Sequence, residues 1–321
     1  MTYDAIKAKG SEKLIDTTMG VLLAWLFLVT FSLATFSVVS AEEIKSRAAV
    51  VMDAETGRVL YAKNPDLRLM PASTTKLMTA LVVIERTNLG DVVTVSKGAS
   101  SAPAIKIGLK QGDNINIETL LNAALIKSAN DAAVALAEAT AGSEMEFVSL
   151  MNEKALTLGL NNTRFINPNG LPGRGQYITA HDLAEIMREA IRYPLLKEIL
   201  GTREAEVFTG EGKTIFIKNT NKLLWSDVEL MEGKTGYTRE ARHCFAGAGK
   251  HETGTIIVAL LGTPSRALLW KETEDLMALG TRVMNNLEEP VVYITKADYD
   301  SAKVKKASHK KSRKKKKRHR V

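Results

Sequence analysis

The 321-residue sequence predicts a mixed α+β domain (a mixed α/β composition), and three observations predict it. A short β-type hairpin comes early, helical segments fill the middle, and a cluster of strand-like runs ends in one closing helix. With 45% hydrophobic and 25% charged residues, the chain has the make-up of a globular protein with a full core. One domain over about 45–290 is the natural division.

In the hairpin, Ala48-Ala49-Val50-Val51-Met52-Asp53 and Arg58-Val59-Leu60-Tyr61-Ala62 flank the Gly-ending turn Ala54-Glu55-Thr56-Gly57. Pro71-Ala72-Ser73-Thr74-Thr75-Lys76 then opens the apolar run Leu77 to Ile84, a buried helix. The Gly/Ser/Pro-rich stretch 96–114 reads as loop and short strand. Ile117 to Leu125 is helical, with Glu118 in its first turn, and Asp131 to Glu138 begins an alanine-rich helix. Phe147 to Leu158 and Ala180 to Ile191 are amphipathic helices, separated by the turn-forming Asn167-Pro168-Asn169-Gly170-Leu171-Pro172-Gly173. Beyond Pro194 the strands are Thr214–Lys218, Gly233–Tyr237, Cys244–Ala248 and Thr255–Leu261, with Leu268 to Met284 the final helix. The early hairpin is expected to pair into the late sheet, with helices covering it.

Three constellations carry chemistry. Ser73 and Lys76 stand three apart in a first helical turn, so their side chains share a face with Cβ atoms about 5–6 Å apart. An amine at that distance can take the proton that a serine must lose to become a nucleophile. Ser128-Ala129-Asn130 sits at a helix–helix junction, where a hydroxyl and an amide two residues apart can face one cleft. Lys234-Thr235-Gly236 lies in a predicted strand and offers a cation, a hydroxyl and a residue that lets a substrate backbone lie close. S-x-x-K also occurs at Ser308 and Ser312, both within a lysine-rich tail where composition alone produces it; S-x-N at 128 and K-T-G at 234 each occur once.

In that order the three motifs are the signature set of penicillin-binding proteins and serine β-lactamases, with S-x-N broadening the usual S-D-N. The body resembles the low-molecular-mass penicillin-binding proteins of the serine-type D-alanyl-D-alanine carboxypeptidase family. The likeness runs through roughly 45–285 and includes Ala72–Ala80, Lys127–Ala133, Asn167–Pro172, Asn219-Thr220-Asn221-Lys222-Leu223-Leu224 and Lys234–Thr238. It implies the β-lactamase/transpeptidase-like fold: a central antiparallel sheet flanked by helices, with the site at the sheet–helix boundary. It implies Ser73 as nucleophile, Lys76 as its base and Ser128 as proton carrier to the leaving amine. Asn130 would hold the substrate amide, Lys234 and Thr235 the terminal carboxylate, and the N–H groups of Ser73 and Tyr237 would form the oxyanion hole. Gly236 completes the binding set. The substrates implied are peptidoglycan stem peptides, with β-lactams as inhibitors and no cofactor. D,D-endopeptidase action on crosslinks uses the same residues, and a slow penicillin-binding wall protein remains an alternative. A β-lactamase is disfavoured because no deacylating glutamate stands out by motif. Two departures are visible: Arg242 stands where the family often has glycine, and the residues after the closing helix are too few for the further β domain of many members.

Other classes fail on spacing. Gly212-Lys213-Thr214 and Gly233-Lys234-Thr235 resemble P-loop ends, but Val207 and Val228 stand where the loop needs glycine. The histidines at 181, 243, 251, 309 and 319 form no metal-ligand spacing, so no metal is expected. Cys244 is the only cysteine, which excludes an internal disulfide, and it reads as a small buried residue.

The ends differ from the body. Net charge is +8, but residues 296–321 hold ten Lys and three Arg against two Asp, leaving the body mildly acidic. Met19 to Val39 is an uncharged run of 21 residues, preceded by lysines and followed by Val39-Ser40-Ala41. Residues 1–41 are therefore expected to be a signal peptide or an N-terminal membrane anchor. The body is expected outside the cytoplasmic membrane, in a periplasm or at the membrane's outer face. The tail 296–321 is expected to be disordered; its segment 303–320 suits anionic membrane lipid or an envelope polymer, export arguing against nucleic acid.

Overall fold

The computed structural model describes residues 44–295, apart from 209–211, 213 and 227–230. Segments 1–41 and 296–321 lie outside the described residues. Among those described, no helix is long and apolar enough to cross a membrane.

The chain runs β1 (Ala48–Asp53), β2 (Val59–Lys63), a 3-10 turn (Ala72–Thr75), α1 (Lys76–Arg86), β3 (Val92–Thr94), α2 (Lys97–Ser100), β4 (Asn114–Asn116) and α3 (Ile117–Asn122). A π-type turn (Ala123–Lys127) leads to α4 (Asn130–Ala141), then α5 (Glu144–Thr157), α6 (Ala180–Ala190), α7 (Pro194–Gly201), β5 (Glu204–Phe208) and β6 (Thr214–Lys218). β7 (Met231–Thr238), β8 (Arg242–His251), β9 (Gly254–Thr263), α8 (Arg266–Met284) and β10 (Val291–Tyr293) complete it. Six strands form one sheet in the order β10-β2-β1-β9-β8-β7. The early hairpin does join the late strands, with β1 antiparallel to β9 from Ala48↔Leu261 to Asp53↔Ile256.

The sheet is covered on both faces, and period-two alternation assigns the layers. Val50, Met52, Ile257 and Ala259 belong to the large core that also holds Leu183, Ile186 and Met187 of α6 and Leu77, Met78 and Leu81 of α1. Val51 and Ile256 point the other way, against α8, where a side chain at Gly280 would collide with both. β1 is buried at every position. Each layer buries aliphatic side chains at about 1.5–3 kcal/mol apiece, less the cost of ordering them.

The structure differs from the sequence reading in several places. Thr214–Lys218 is a strand but lies outside the central sheet, pairing with β5 in a ribbon of its own. β5 alternates Glu204, Glu206 and Phe208 on an exposed face, which hides it from a search for apolar runs. The loop 96–114 contains the short helix α2, capped by the Ser96 side chain accepting from the Ala99 N–H. β10, which the sequence did not reveal, pairs parallel to β2, so the sheet is antiparallel except at that edge.

Arg242 explains its own oddity. It opens β8 at φ 62°, a left-handed conformation that an L side chain occupies at a cost and glycine occupies freely. Arg242→Gly is expected to raise unfolding free energy by about 0.5–1 kcal/mol, read by urea denaturation; a fall would mean the Arg242 side chain stabilises more than its backbone costs.

Candidate active site

The Ser73 turn is held from two sides by glycines. Gly236 of β7 lies so close that a Cβ there would stand 2.9 Å from the Ser73 nitrogen and 3.0 Å from the Pro71 carbonyl oxygen. Gly170, at φ 83°, lies under the same turn, and a Cβ would fall 1.9 Å from the Ala72 carbonyl oxygen. The glycine of K-T-G was expected to let a substrate lie close; the backbone of the Ser73 turn lies close to it.

Lys76 follows as the first residue of α1 and is fully buried. Its Nζ lies 3.2 Å from Ser73 Oγ, 2.7 Å from Asn130 Oδ1 and 2.7 Å from the Asn169 carbonyl oxygen. The last two oxygens can only accept. A neutral amine has two N–H bonds and one lone pair, so giving both hydrogens to those acceptors turns the lone pair toward the Ser73 hydroxyl. Burial, then the nearby charge of Lys234, push the Lys76 amine well below the ordinary lysine range, while Asp131 opposes them. Lys234 is also fully buried, donates to the Thr235 carbonyl oxygen at 3.1 Å, and is brought down to about 7 by burial.

Local sequence builds each partner. The π-type turn ends with Ser128 at φ 66°, ψ 33°, a strained left-handed residue that reverses the chain before α4. Ser128 thereby lines the cleft, while Asn130, one residue into the next helix, reaches beneath it. Lys234 and Gly236 share one face of β7 by alternation, Gly236 against the Ser73 turn and Lys234 within Coulombic reach of Lys76. In the segment Asn167–Leu171, Asn167 Oδ1 accepts from the Gly170 N–H at 2.7 Å and Asn169 Oδ1 from the Leu171 N–H at 3.0 Å. These Asx turns aim the Asn169 carbonyl at Lys76.

A cleft of about 280 Å³ opens above these groups, lined among others by Ser73, Ser128, Thr235, Gly236 and Tyr237. Thus five of the eight predicted residues face the cleft, and Lys76, Asn130 and Lys234 lie beneath them. Both ends of the Asn130 amide are engaged, Oδ1 by Lys76 and Nδ2 by the Pro103 carbonyl oxygen at 3.0 Å. Sequence reasoning missed three contributors. The Asn169 carbonyl was passed over because turn residues announce geometry rather than chemistry. Thr220 lines the cleft and bonds Thr235, their hydroxyl oxygens 2.5 Å apart, and it lay unremarked in the family-like stretch from Asn219. Asp131, adjoining Asn130, is wholly buried. Cys244 is buried as expected, its thiol raised to about 12 by burial.

Comparison with known proteins bears on the family and the fold. Residues 35–265 match the D-alanyl-D-alanine carboxypeptidase family, peptidase S11. The chain belongs to that family. It is 36% identical over 254 residues to the D-alanyl-D-alanine carboxypeptidase DacF of Bacillus subtilis, covering 76% of this chain and 65% of that one. A D-alanyl-D-alanine endopeptidase of Pseudomonas aeruginosa is 38% identical over 207 residues, covering 63% of this chain and 66% of that one. The chain thus spans about two thirds of the length of these curated relatives. The crystal structure of a D-alanyl-D-alanine carboxypeptidase from Mycobacterium tuberculosis superposes with a TM-score of 0.69 at 31% identity, covering 74% of this chain and 91% of that one. Penicillin binding protein 6B from Escherichia coli gives a TM-score of 0.69 at 32% identity, covering 75% and 78%.

Buried amines tie stability to pH. The folded state favours neutral Lys234 and Lys76, whereas unfolded lysines stay protonated up to about pH 10.4. Between about pH 7, where Lys234 titrates, and the unfolded value, the unfolded chain binds more protons, so this contribution to stability rises with pH. Lys234→Met is expected to flatten that rise in denaturation measured across the window. An unchanged slope would mean that Lys234 keeps its charge on folding.

Proposed function

We propose that this chain is a serine D-alanyl-D-alanine carboxypeptidase that removes the terminal D-alanine from peptidoglycan stem peptides through an acyl-enzyme. The observation that carries the reading is the buried Lys76 amine, 3.2 Å from Ser73 Oγ with both its other neighbours acceptors. Ser73 gives its proton to Lys76 and its oxygen attacks the carbonyl between the two D-alanines. The N–H groups of Ser73 and Tyr237 receive the developing oxyanion, each worth about 2.7–4 kcal/mol in comparable sites. Ser128, at the cleft surface, returns a proton to the leaving amine as the C–N bond breaks. Thr235 meets the terminal carboxylate, whose negative charge favours the protonated form of the Lys234 amine below it. Asn130 fixes Lys76 and turns toward the substrate amide as the peptide enters. Water then attacks the ester and frees Ser73. A β-lactam follows the same path and stays as the acyl-enzyme.

Crosslink cleavage is a second reading, favoured by the relative named as an endopeptidase. Ser73→Ala is expected to abolish labelling by a fluorescent penicillin and to lower turnover by about 10⁴-fold or more; normal labelling of that variant would end the assignment. Mass spectrometry of digested muropeptides separates the activities. Loss of one alanine marks a carboxypeptidase, conversion of dimers to monomers an endopeptidase, and no change a binding protein.

The same proposal places the body outside the cytoplasmic membrane, in keeping with the apolar run 19–39, and assigns the basic tail to anionic lipid. Asn64 joins the first and last parts of the described residues. Its Nδ2 donates to the Arg47 carbonyl oxygen at 2.8 Å and to Thr295 Oγ1 at 2.7 Å, and its Oδ1 accepts from the Thr295 N–H at 2.7 Å. The stretches around Arg47 and Thr295 therefore meet beside β2. With about 1 kcal/mol per basic residue near anionic lipid, deleting 303–321 is expected to weaken binding to phosphatidylglycerol vesicles at low salt. Equal binding by the truncated protein would refute the tail's role.

A further inference from the structure

The Asn130–Asp131 pair does more than complete a motif. Asp131 is wholly buried in the first turn of α4. Its carboxylate accepts backbone N–H groups from Ile107 at 3.1 Å, Gly108 at 2.9 Å and Leu109 at 3.1 Å, besides that of Ala132 at 3.0 Å. Asn130 grips the preceding residues, its N–H donating to the Ile105 carbonyl oxygen at 2.7 Å and its Nδ2 to that of Pro103. The stretch 103–109 is thus fastened at both ends to the two residues that open α4, just past Ser128. Ile105, half exposed, lines the cleft together with the similarly exposed Tyr237, whose ring stacks on His243 with centroids 4.5 Å apart.

We propose that Asp131 is a positioning residue whose carboxylate fixes the 103–109 wall, and that Ile105 on this wall is a specificity-determining lip for the aliphatic part of the acyl-donor peptide. The inference rests on the proposed peptidase reading and deepens it. Ser73 and Ser128 line the same cleft as Ile105 and Tyr237, so a peptide reaching Ser73 has both uncharged, largely apolar side chains within the cleft to meet. The Ile107–Leu109 end of the wall hangs on backbone N–H bonds to one carboxylate and is defined only while that carboxylate stays. An amide in its place would turn an N–H group toward at least one backbone donor.

Charge gives Asp131 a second consequence. The charged groups acting on Lys76 are Lys234 from β7 and Asp131 from α4, the first lowering and the second raising the amine's proton affinity. Removing the carboxylate leaves Lys234 unopposed. Lys76 then loses its proton at lower pH, and the acid limb of the rate profile moves down.

The test uses the full chain with a soluble D-Ala-D-Ala peptide and a fluorescent penicillin. Asp131→Asn is expected to lower kcat/KM for the peptide by about tenfold or more, to shift the acid limb to lower pH, and to speed hydrogen exchange at the Gly108 and Leu109 amides. Ile105→Ala, which removes only half-exposed surface and leaves the fold intact, is expected to raise KM about three- to tenfold with kcat nearly unchanged. Penicillin labelling at Ser73 persists in the Ile105 variant. Wild-type kinetics, pH profile and exchange in both variants would overturn this inference alone. Absence of peptide cleavage and of labelling in the wild type would overturn the proposed function, and this inference with it.

Discussion

The site depends on keeping a lysine amine away from water beside a serine. Lys76 has no solvent to stabilise its charge, and a second buried cation, Lys234, makes that charge still less favourable. What prevents the amine from being a mere burden on stability is its pair of acceptors, Asn130 Oδ1 and the Asn169 carbonyl oxygen. They satisfy both hydrogens of the neutral form and leave its lone pair toward Ser73. Three distant stretches therefore have to converge, one from the start of α1, one from the start of α4, and one from the turn before α6. Much of the fold serves that convergence: the sheet fixes Lys234, the shared core brings α1 and α4 together, and Gly170 lets the turn slide beneath the Ser73 backbone.

How much of this was legible in the sequence depends on whether the information was local. Ser73 and Lys76 are one helical turn apart, so spacing alone places them together. The early hairpin and the late strands were visible because their buried residues form apolar runs, and their pairing followed from the need to cover both. β5 was invisible because it alternates charged residues with small or apolar ones on a ribbon that stands apart from the main sheet. β10 is only three residues long and is recognisable chiefly by its partner, β2.

The site shows the same division more sharply. Side-chain chemistry can be read from residue types, and Ser128, Thr235 and Tyr237 do reach the cleft. A carbonyl oxygen exists at every residue, so nothing in the letters distinguishes the one at Asn169 that receives the Lys76 amine. The lysine of K-T-G is wholly buried, a depth that its residue type does not announce. Residue type gave its charge; only the strand's facing gave its depth. Arg242 was noticed as a departure, and its left-handed backbone supplies the physical reason that glycine would be favoured there.

The order of the sheet has one further consequence. Among the described residues, β10 closes one side on β2, whereas β7, the strand carrying Lys234-Thr235-Gly236, is the last strand on the other. A terminal strand presents backbone groups with no neighbour in the sheet, which in most proteins invites another copy to add itself. Here the Ser73 turn packs against that strand at Gly236, so part of the strand's length is already occupied by the chain itself. The strand that would be an aggregation hazard in a bare sheet is thus crowded by a turn from elsewhere in its own fold.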